Sequence, residues 1–177
     1  MTRSVPPSPL QEPRSVATIG VYGFDVQTFL TTLKAADVVT VLDVRQRRGV
    51  RGPQYAWANS RRLQAALAGA GIAYEHHREL APTTELRHVQ YAEDARQRVG
   101  KRSRVELAPE YTRRYVDEIL DQVDLDPIVA TMPTDGTTAL LCVEADPEAC
   151  HRSLIAARLA DEYDATVTHL RPKGQAQ

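Results

Sequence analysis

The run Val38-Val-Thr-Val-Leu-Asp-Val44 constrains the fold more than any other part of the chain. A strand with one face in water alternates apolar and polar residues, and this one hardly does. Near-continuous β-branched and apolar character belongs to a central strand of a parallel sheet, covered by helices on both faces. Asp43 then stands at the C-terminal end of that strand, the edge at which open α/β sheets bind ligands.

The flanking sequence agrees with such a sheet. Val16-Ala-Thr-Ile-Gly-Val-Tyr22 reads as a first strand, and Asp25 can cap a helix carrying Val26, Phe29, Leu30 and Leu33 at helical spacing. A polar loop is expected from Arg45 to Asn59, with Asn59 or Ser60 capping a helix through Ala68 and Ile72–His76 forming a third strand. Ala81 to Asp126 lacks strand signals and is expected to hold two helices joined by a mobile basic connection, Gly100-Lys-Arg-Ser-Arg104. Thr137-Thr-Ala-Leu-Leu-Cys-Val143 reads as a buried strand, followed by a helix from about Cys150 to Tyr163 and a last strand, Ala165 to Leu170. Strands alternating with helices predict a single three-layer α/β domain over residues 15–172, with a parallel or mostly parallel sheet of about five strands.

The length of 177 residues suits one buried core and not two ordinary domains. No apolar run approaches the roughly 20 residues of a membrane span. Met1 to Arg14 has four prolines and no apolar core, so a disordered tail is expected rather than a secretory signal. Residues 173–177 are expected to be loose. Two cysteines without an export signal point to the cytoplasm and to reduced thiols.

A net charge of −1 conceals segregation. There is no acid between Val44 and Tyr74, while Arg45, Arg47, Arg48, Arg51, Arg61 and Arg62 all occur there. Arg96, Arg98, Lys101, Arg102 and Arg104 form a second basic cluster, and Val116 to His151 contains acids but neither Lys nor Arg. Either the fold presents a positive surface, or the basic and acidic segments neutralise each other.

Cys142-Val-Glu-Ala-Asp-Pro-Glu-Ala-Cys-His-Arg-Ser153 carries most of the chemistry. It places two thiols, an imidazole, a guanidinium and several carboxylates around one strand-to-helix loop. Near a helix start, free N–H groups and the dipole lower a thiol pKa, and Arg152 and protonated His151 act in the same direction. The same position suits an oxyanion clamped by Arg152. Other readings stay open: Cys142 as a small core residue, His151 as a packing or capping group, Arg152 as a partner of Asp43 or Glu144, and Asp146-Pro147 as a helix-entry turn. His76-His77 cannot both face one site on a strand. Cys142, Cys150 and His151 do not follow a standard zinc spacing, and neither a metal nor a cofactor is called.

Together with Thr18-Ile-Gly20 and Asp43-Val-Arg45, this segment resembles the DUF488 family, over almost the whole chain from about Ala17 to Leu170. The resemblance implies a compact bacterial or archaeal α/β domain with no firmly assigned reaction. It implies recurring polar positions at Asp43, Arg45, Cys142, Glu144, Asp146, Cys150, His151 and Arg152. The chain departs from the family pattern at Val21-Tyr22, at Arg51-Gly-Pro-Gln-Tyr-Ala-Trp-Ala-Asn59 and at Leu80-Ala-Pro82. A divergent subgroup is therefore expected.

The leading expectation is an enzyme acting on a small anionic or nucleotide-like substrate. Cys150, His151, Asp43 and Glu144 are its candidate catalytic groups, and Arg45, Arg152, Tyr22, Cys142 and Asp146 its candidate binding groups. The alternative is a nucleic-acid-binding, repair-linked protein using Arg47, Arg48 and Arg51 on phosphates and Tyr55 and Trp57 on bases. In a rhodanese-like sulfur transferase Cys142 would be the reactive thiol, but Val143-Glu-Ala-Asp-Pro147 lacks the glycines of a persulfide cradle. A last alternative is an interaction module whose polar motif only holds the loop together.

Overall fold

A computed structural model describes residues 12–174. The expected disordered tail therefore falls largely outside the described residues, as does the chain beyond Gly174. Five strands form one sheet: β1 (Ser15–Ile19), β2 (Val38–Asp43), β3 (Ala73–His76), β4 (Thr137–Leu141) and β5 (Thr166–His169). Their order is β3-β2-β4-β1-β5 and every pairing is parallel. β2 and β4 are neighbours, with Asp43 opposite Leu141. Both strands are buried over most of their length, as their apolar sequences require.

The helices are α1 (Val26–Ala35), α2 (Ser60–Gly69), α3 (Thr84–Gln97), α4 (Pro109–Tyr115), α5 (Asp126–Thr131) and α6 (Arg152–Tyr163). Asp25 caps α1 by accepting from the Thr28 N–H at 2.8 Å, and Thr28 closes the capping box. With right-handed crossovers, connections running from β1 to β2 and from β2 to β3 cover one face, and those from β3 to β4 and from β4 to β5 cover the other. The connection leaving β4 thus diverges from those leaving its neighbours β1 and β2. This is a topological switch point, and Cys142–Glu144 lies at its mouth.

Four sequence expectations need correction. The first strand ends at Ile19, because the Val21 and Tyr22 N–H groups donate to the Val143 carbonyl at 3.0 and 2.9 Å instead of joining a ladder. The loop from Arg45 to Asn59 contains a 3₁₀ turn, Pro53–Ala58. The segment 81–126 holds α3 and α4, but a π turn over Val116–Leu120 extends α4, and α5 begins at Asp126. The connection 100–104 is anchored: Arg104 is buried and bonded to Asp94 and Glu144.

The acids between Val116 and His151 are largely paired, yet not with the Arg45–Arg62 segment. Asp117, Glu118 and Asp121 meet Arg113, Arg114 and Arg158, and Asp146 and Glu148 meet Arg171 near the chain's end. Among the described residues, Arg47, Arg48, Arg51, Arg61 and Arg62 are left without a carboxylate within ion-pair distance. Positive charge therefore remains on that side of the molecule.

Candidate functional site

The carboxyl ends of β2 and β4 form the floor of a cavity of about 450 Å³. A space of this size holds a small molecule. Cys142, Cys150, His151 and Glu144 line it, and Arg45, Arg47, Arg51, Arg87, Lys101 and Arg104 surround it. Six cationic side chains and a single carboxylate thus share the lining. Tyr22, Tyr91 and Tyr111 supply aromatic surface.

Asp43 holds the β2 side of the floor. Its carboxylate accepts from the Arg45 backbone N–H (3.1 Å), Arg45 Nε (2.9 Å), Arg45 Nη2 (2.8 Å) and the Tyr74 hydroxyl (2.7 Å). Arg45 Nη1 donates to the Ala58 carbonyl at 3.0 Å, tying the loop to the sheet. Both side chains are buried, and this bidentate pair fixes one rotamer of each. Asp43 itself has no surface on the cavity.

Close approach holds the β1 side. A Cβ added to Gly20 would lie 1.8 Å from the Glu144 carbonyl oxygen, so no larger residue fits against the β4 loop. That contact accounts for the glycine of Thr18-Ile-Gly20.

The β4–α6 loop supplies the reactive groups. Pro147–Ala149 forms a 3₁₀ turn entered through Asp146, and His151 stands at the N-cap position of α6 without a side-chain capping bond. The His151 ring bridges the two strand ends: Nε2 donates to the Val44 carbonyl at 2.9 Å, and Nδ1 faces Cys142 Sγ and Cys150 Sγ, each at 3.8 Å. A carbonyl can only accept, so the proton on Nε2 is fixed and Nδ1 is left for the thiols. The Cys142 thiol, with one proton to give, lies between the Glu144 carboxylate at 3.4 Å and the Cys150 sulfur.

Arg152 is fully buried, and its hydrogen bonds go to carbonyls: Nη1 to Glu144 at 2.7 Å and Nη2 to Ala145 at 3.1 Å. Carbonyls orient a guanidinium but do not neutralise it, and a buried charge requires a counter-charge. A thiolate at Cys150 would supply one. Burial alone pushes the Cys150 thiol up. The hydrogen bond with Cys142, the Arg152 charge and His151 together outweigh that and hold it well below the ordinary thiol range. Cys142 moves the opposite way, raised by its hydrogen bond with Cys150 and by burial. Burial pushes His151 down, but the Cys150 sulfur and the Val44 carbonyl carry it above the usual imidazole value. These directions favour a thiolate at Cys150 rather than at Cys142, with the His151 imidazole between the two sulfurs.

Arg104 braces this arrangement from the α3–α4 connection. It donates to Asp94 (2.7 Å), Glu144 (3.0 Å) and the Ala149 carbonyl (3.2 Å). Lys101 lies 3.7 Å from Glu144. At the rim, the Arg102 guanidinium stands 5.3 Å over both the Tyr22 and Tyr55 rings and donates to the Arg51 carbonyl. Cys142, Cys150 and His151 present donor atoms within 4.8 Å of one another, a soft set of the kind that holds zinc with an open fourth position.

Of the sequence-derived candidates, the fold brings Cys142, Glu144, Cys150, His151, Arg45, Tyr22, Arg47 and Arg51 to one cavity. It does not bring Asp43, Arg152 or Asp146 to the lining; Asp146 accepts from Arg171 at 2.7 Å instead. Arg48 lines a separate shallow groove with Asn59, Arg61 and Arg62. Tyr55 packs against Tyr22 at the rim, whereas Trp57 packs on Phe29, ring centroids 4.8 Å apart, and anchors the loop to the core. His76 and His77 point apart as expected, His76 to the Arg45 carbonyl and His77 to Glu75 and Glu79.

Sequence reasoning missed Arg87, Gln90 and Asp94 on α3. Gln90 accepts from the Ala108 N–H and donates to Asp94, which receives Arg104. Their spacing, Arg87-x-x-Gln90-x-x-x-Asp94, is a polar stripe at helical period that could have pointed to them.

The class defined by this geometry is an open parallel α/β protein with a cysteine–histidine pair at the switch point of its sheet. The family "Domain of unknown function DUF488" matches residues 25–159, and the chain belongs to that family. Comparison with curated proteins and with solved structures returns no match.

Proposed function

We propose that this protein is an enzyme that uses the Cys150 thiolate as a nucleophile on a small anionic substrate, with His151 as its proton carrier. The observation that carries this reading is the juxtaposition of a cysteine–histidine floor with six cationic side chains around one cavity. A nucleophile needs an adjacent base held in one orientation by a third group. Here the Val44 carbonyl orients His151, and Nδ1 meets the sulfur. The cationic lining selects negative charge in the substrate and concentrates it at the floor. Asp43 acts as a positioning residue through Arg45, and Arg152 acts through the loop carbonyls and its charge.

Paired alkylating agents test this. Iodoacetamide is neutral and iodoacetate carries a carboxylate, so their relative rates read nucleophilicity and anion preference separately. Cys150 is expected to label with both well below pH 8, and to favour iodoacetate relative to a free peptide thiol. Labelling no faster than a peptide thiol sinks the nucleophile; a missing preference for iodoacetate sinks the anionic substrate.

One observation favours a second reading, nucleic-acid binding. Arg47, Arg48, Arg51, Arg61 and Arg62 have no acidic partner among the described residues, and Arg48, Arg61 and Arg62 border one groove. Steeply salt-dependent binding to DNA or RNA would support it, and no binding at low salt would remove it. Sulfur transfer through Cys142 is the weakest reading, because Val143–Pro147 carries no glycine for a persulfide cradle, and contact with Cys150 and burial both raise that thiol.

A further inference from the structure

The pairing of two thiols across one imidazole has a use that a single-nucleophile reaction does not need. We propose that Cys150 and Cys142 form a peroxide-reducing dithiol, with Cys150 the attacking sulfur and Cys142 the resolving one. This rests on the reading of Cys150 as a nucleophile and adds a second reaction at the same floor.

Three features of the geometry support it. Cys150 Sγ and Cys142 Sγ lie within 4.8 Å of each other and share His151 Nδ1 at 3.8 Å, so one proton carrier serves both sulfurs. Both sulfurs border the cavity, which admits an oxidant as small as hydrogen peroxide to thiols otherwise buried. Cys150 follows a 3₁₀ turn in extended conformation, outside helix and sheet. Its sulfur can therefore close to the roughly 2.05 Å of a disulfide without disturbing a ladder.

The steps balance. The Cys150 thiolate attacks one oxygen of the peroxide, the O–O bond breaks, and Cys150 becomes a sulfenic acid while the departing hydroxide takes the His151 Nδ1 proton and leaves as water. Cys142 then passes its proton to Nδ1 and attacks the Cys150 sulfur. The S–O bond breaks, and the second hydroxide collects that proton to give a second water. Two thiols are oxidised to one disulfide and the peroxide is reduced by two electrons.

The test treats the reduced full-length protein with two equivalents of hydrogen peroxide, enough for either a disulfide or a sulfinic acid, and maps its thiols by mass spectrometry under denaturing conditions. The expected product is an intramolecular Cys142–Cys150 disulfide that dithiothreitol reverses. The Cys142→Ser variant is expected to stop at a Cys150 sulfenic acid that dimedone traps, and Cys150→Ser to leave Cys142 unmodified. Wild-type protein in which Cys150 advances to sulfinic acid while Cys142 stays a thiol overturns the proposal, and that result needs no variant to fold. Ready alkylation of Cys150 without disulfide formation defeats the dithiol and leaves the nucleophile standing. Failure of both alkylation and oxidation defeats the two together.

Discussion

The two loops that meet at the cavity are built on opposite principles. In the β4–α6 loop the polar groups are committed: Glu144 to Arg104, Arg152 to two carbonyls, His151 to Val44 and the sulfurs, Asp146 to Arg171. In the β2–α2 loop Asp43 holds Arg45, whereas Arg47, Arg48 and Arg51 have no acidic partner among the described residues. A network in which, of these side chains, only Arg152 Nε lacks a partner holds reacting groups in one geometry, because each unmade bond in a buried site costs more than the bond contributes. Uncommitted arginines at a rim cost little and are free to meet a ligand. The floor is thus arranged for chemistry and the wall for recognition.

Removing a member of the floor gives the largest effect that can break this comparison. Arg104→Leu leaves the buried Asp94 and Glu144 carboxylates without their main counter-charge. A loss of about 3–5 kcal/mol is expected, read as a drop in the urea midpoint. Breaking a buried pair is that costly because the charge left behind cannot reach water. A loss below about 1 kcal/mol, the range of exposed pairs, would show that the floor does not depend on its buried ion pairs.

That bracing arginine also marks the limit of what the sequence revealed. The strands were legible, since Val38–Val44 and Thr137–Val143 carry their burial in their composition, and their shared edge followed from sheet topology. Cys142, Cys150 and His151 were legible because one short segment contains them. Arg104 was not, because its partners Asp94 and Glu144 stand 10 and 40 residues away and no local pattern joins them. Asp43 and Arg152 were recognised as important, yet linear proximity suggested they face the ligand. Burial assigns them to the scaffold, and only three-dimensional packing reveals burial of a charged group.

The next effect is on reactivity and its pH dependence. Cys150 has a folded-state pKa below its unfolded value, so its contribution to stability exists above the unfolded value and vanishes as pH falls through the lowered one. His151 is raised, so its contribution is complete below about 6.5 and disappears as pH rises through the raised value. A thiolate–imidazolium pair is expected between the lowered Cys150 value and the raised His151 value. Carboxymethylation of Cys150 should therefore show an acid limb well below the roughly 8.5 of a free thiol. His151→Ala should move that limb upward while Arg47→Gln leaves it in place. A wild-type limb at the free-thiol position would mean that the buried Arg152 is not balanced by a thiolate.

The smallest effect sharpens the comparison most, because it separates the two readings of the wall. Arg47 and Arg51 line the cavity, whereas Arg48 lines the separate groove and donates to the Tyr74 hydroxyl at 3.4 Å. If the wall recognises a small anion, Arg47→Gln and Arg51→Gln should each lower the iodoacetate-to-iodoacetamide rate ratio at Cys150 several-fold. Arg48→Gln should leave that ratio unchanged. Arg47→Gln and Arg51→Gln, both at exposed positions, should hold the urea midpoint within about 0.5 kcal/mol of wild type. If the segment instead binds a nucleic-acid backbone, the three arginines contribute comparably to a salt-dependent affinity, since phosphate contacts act through charge more than through position. Equal losses across the three variants therefore favour the groove. A loss confined to Arg47 and Arg51 ties the wall to the thiolate beneath it.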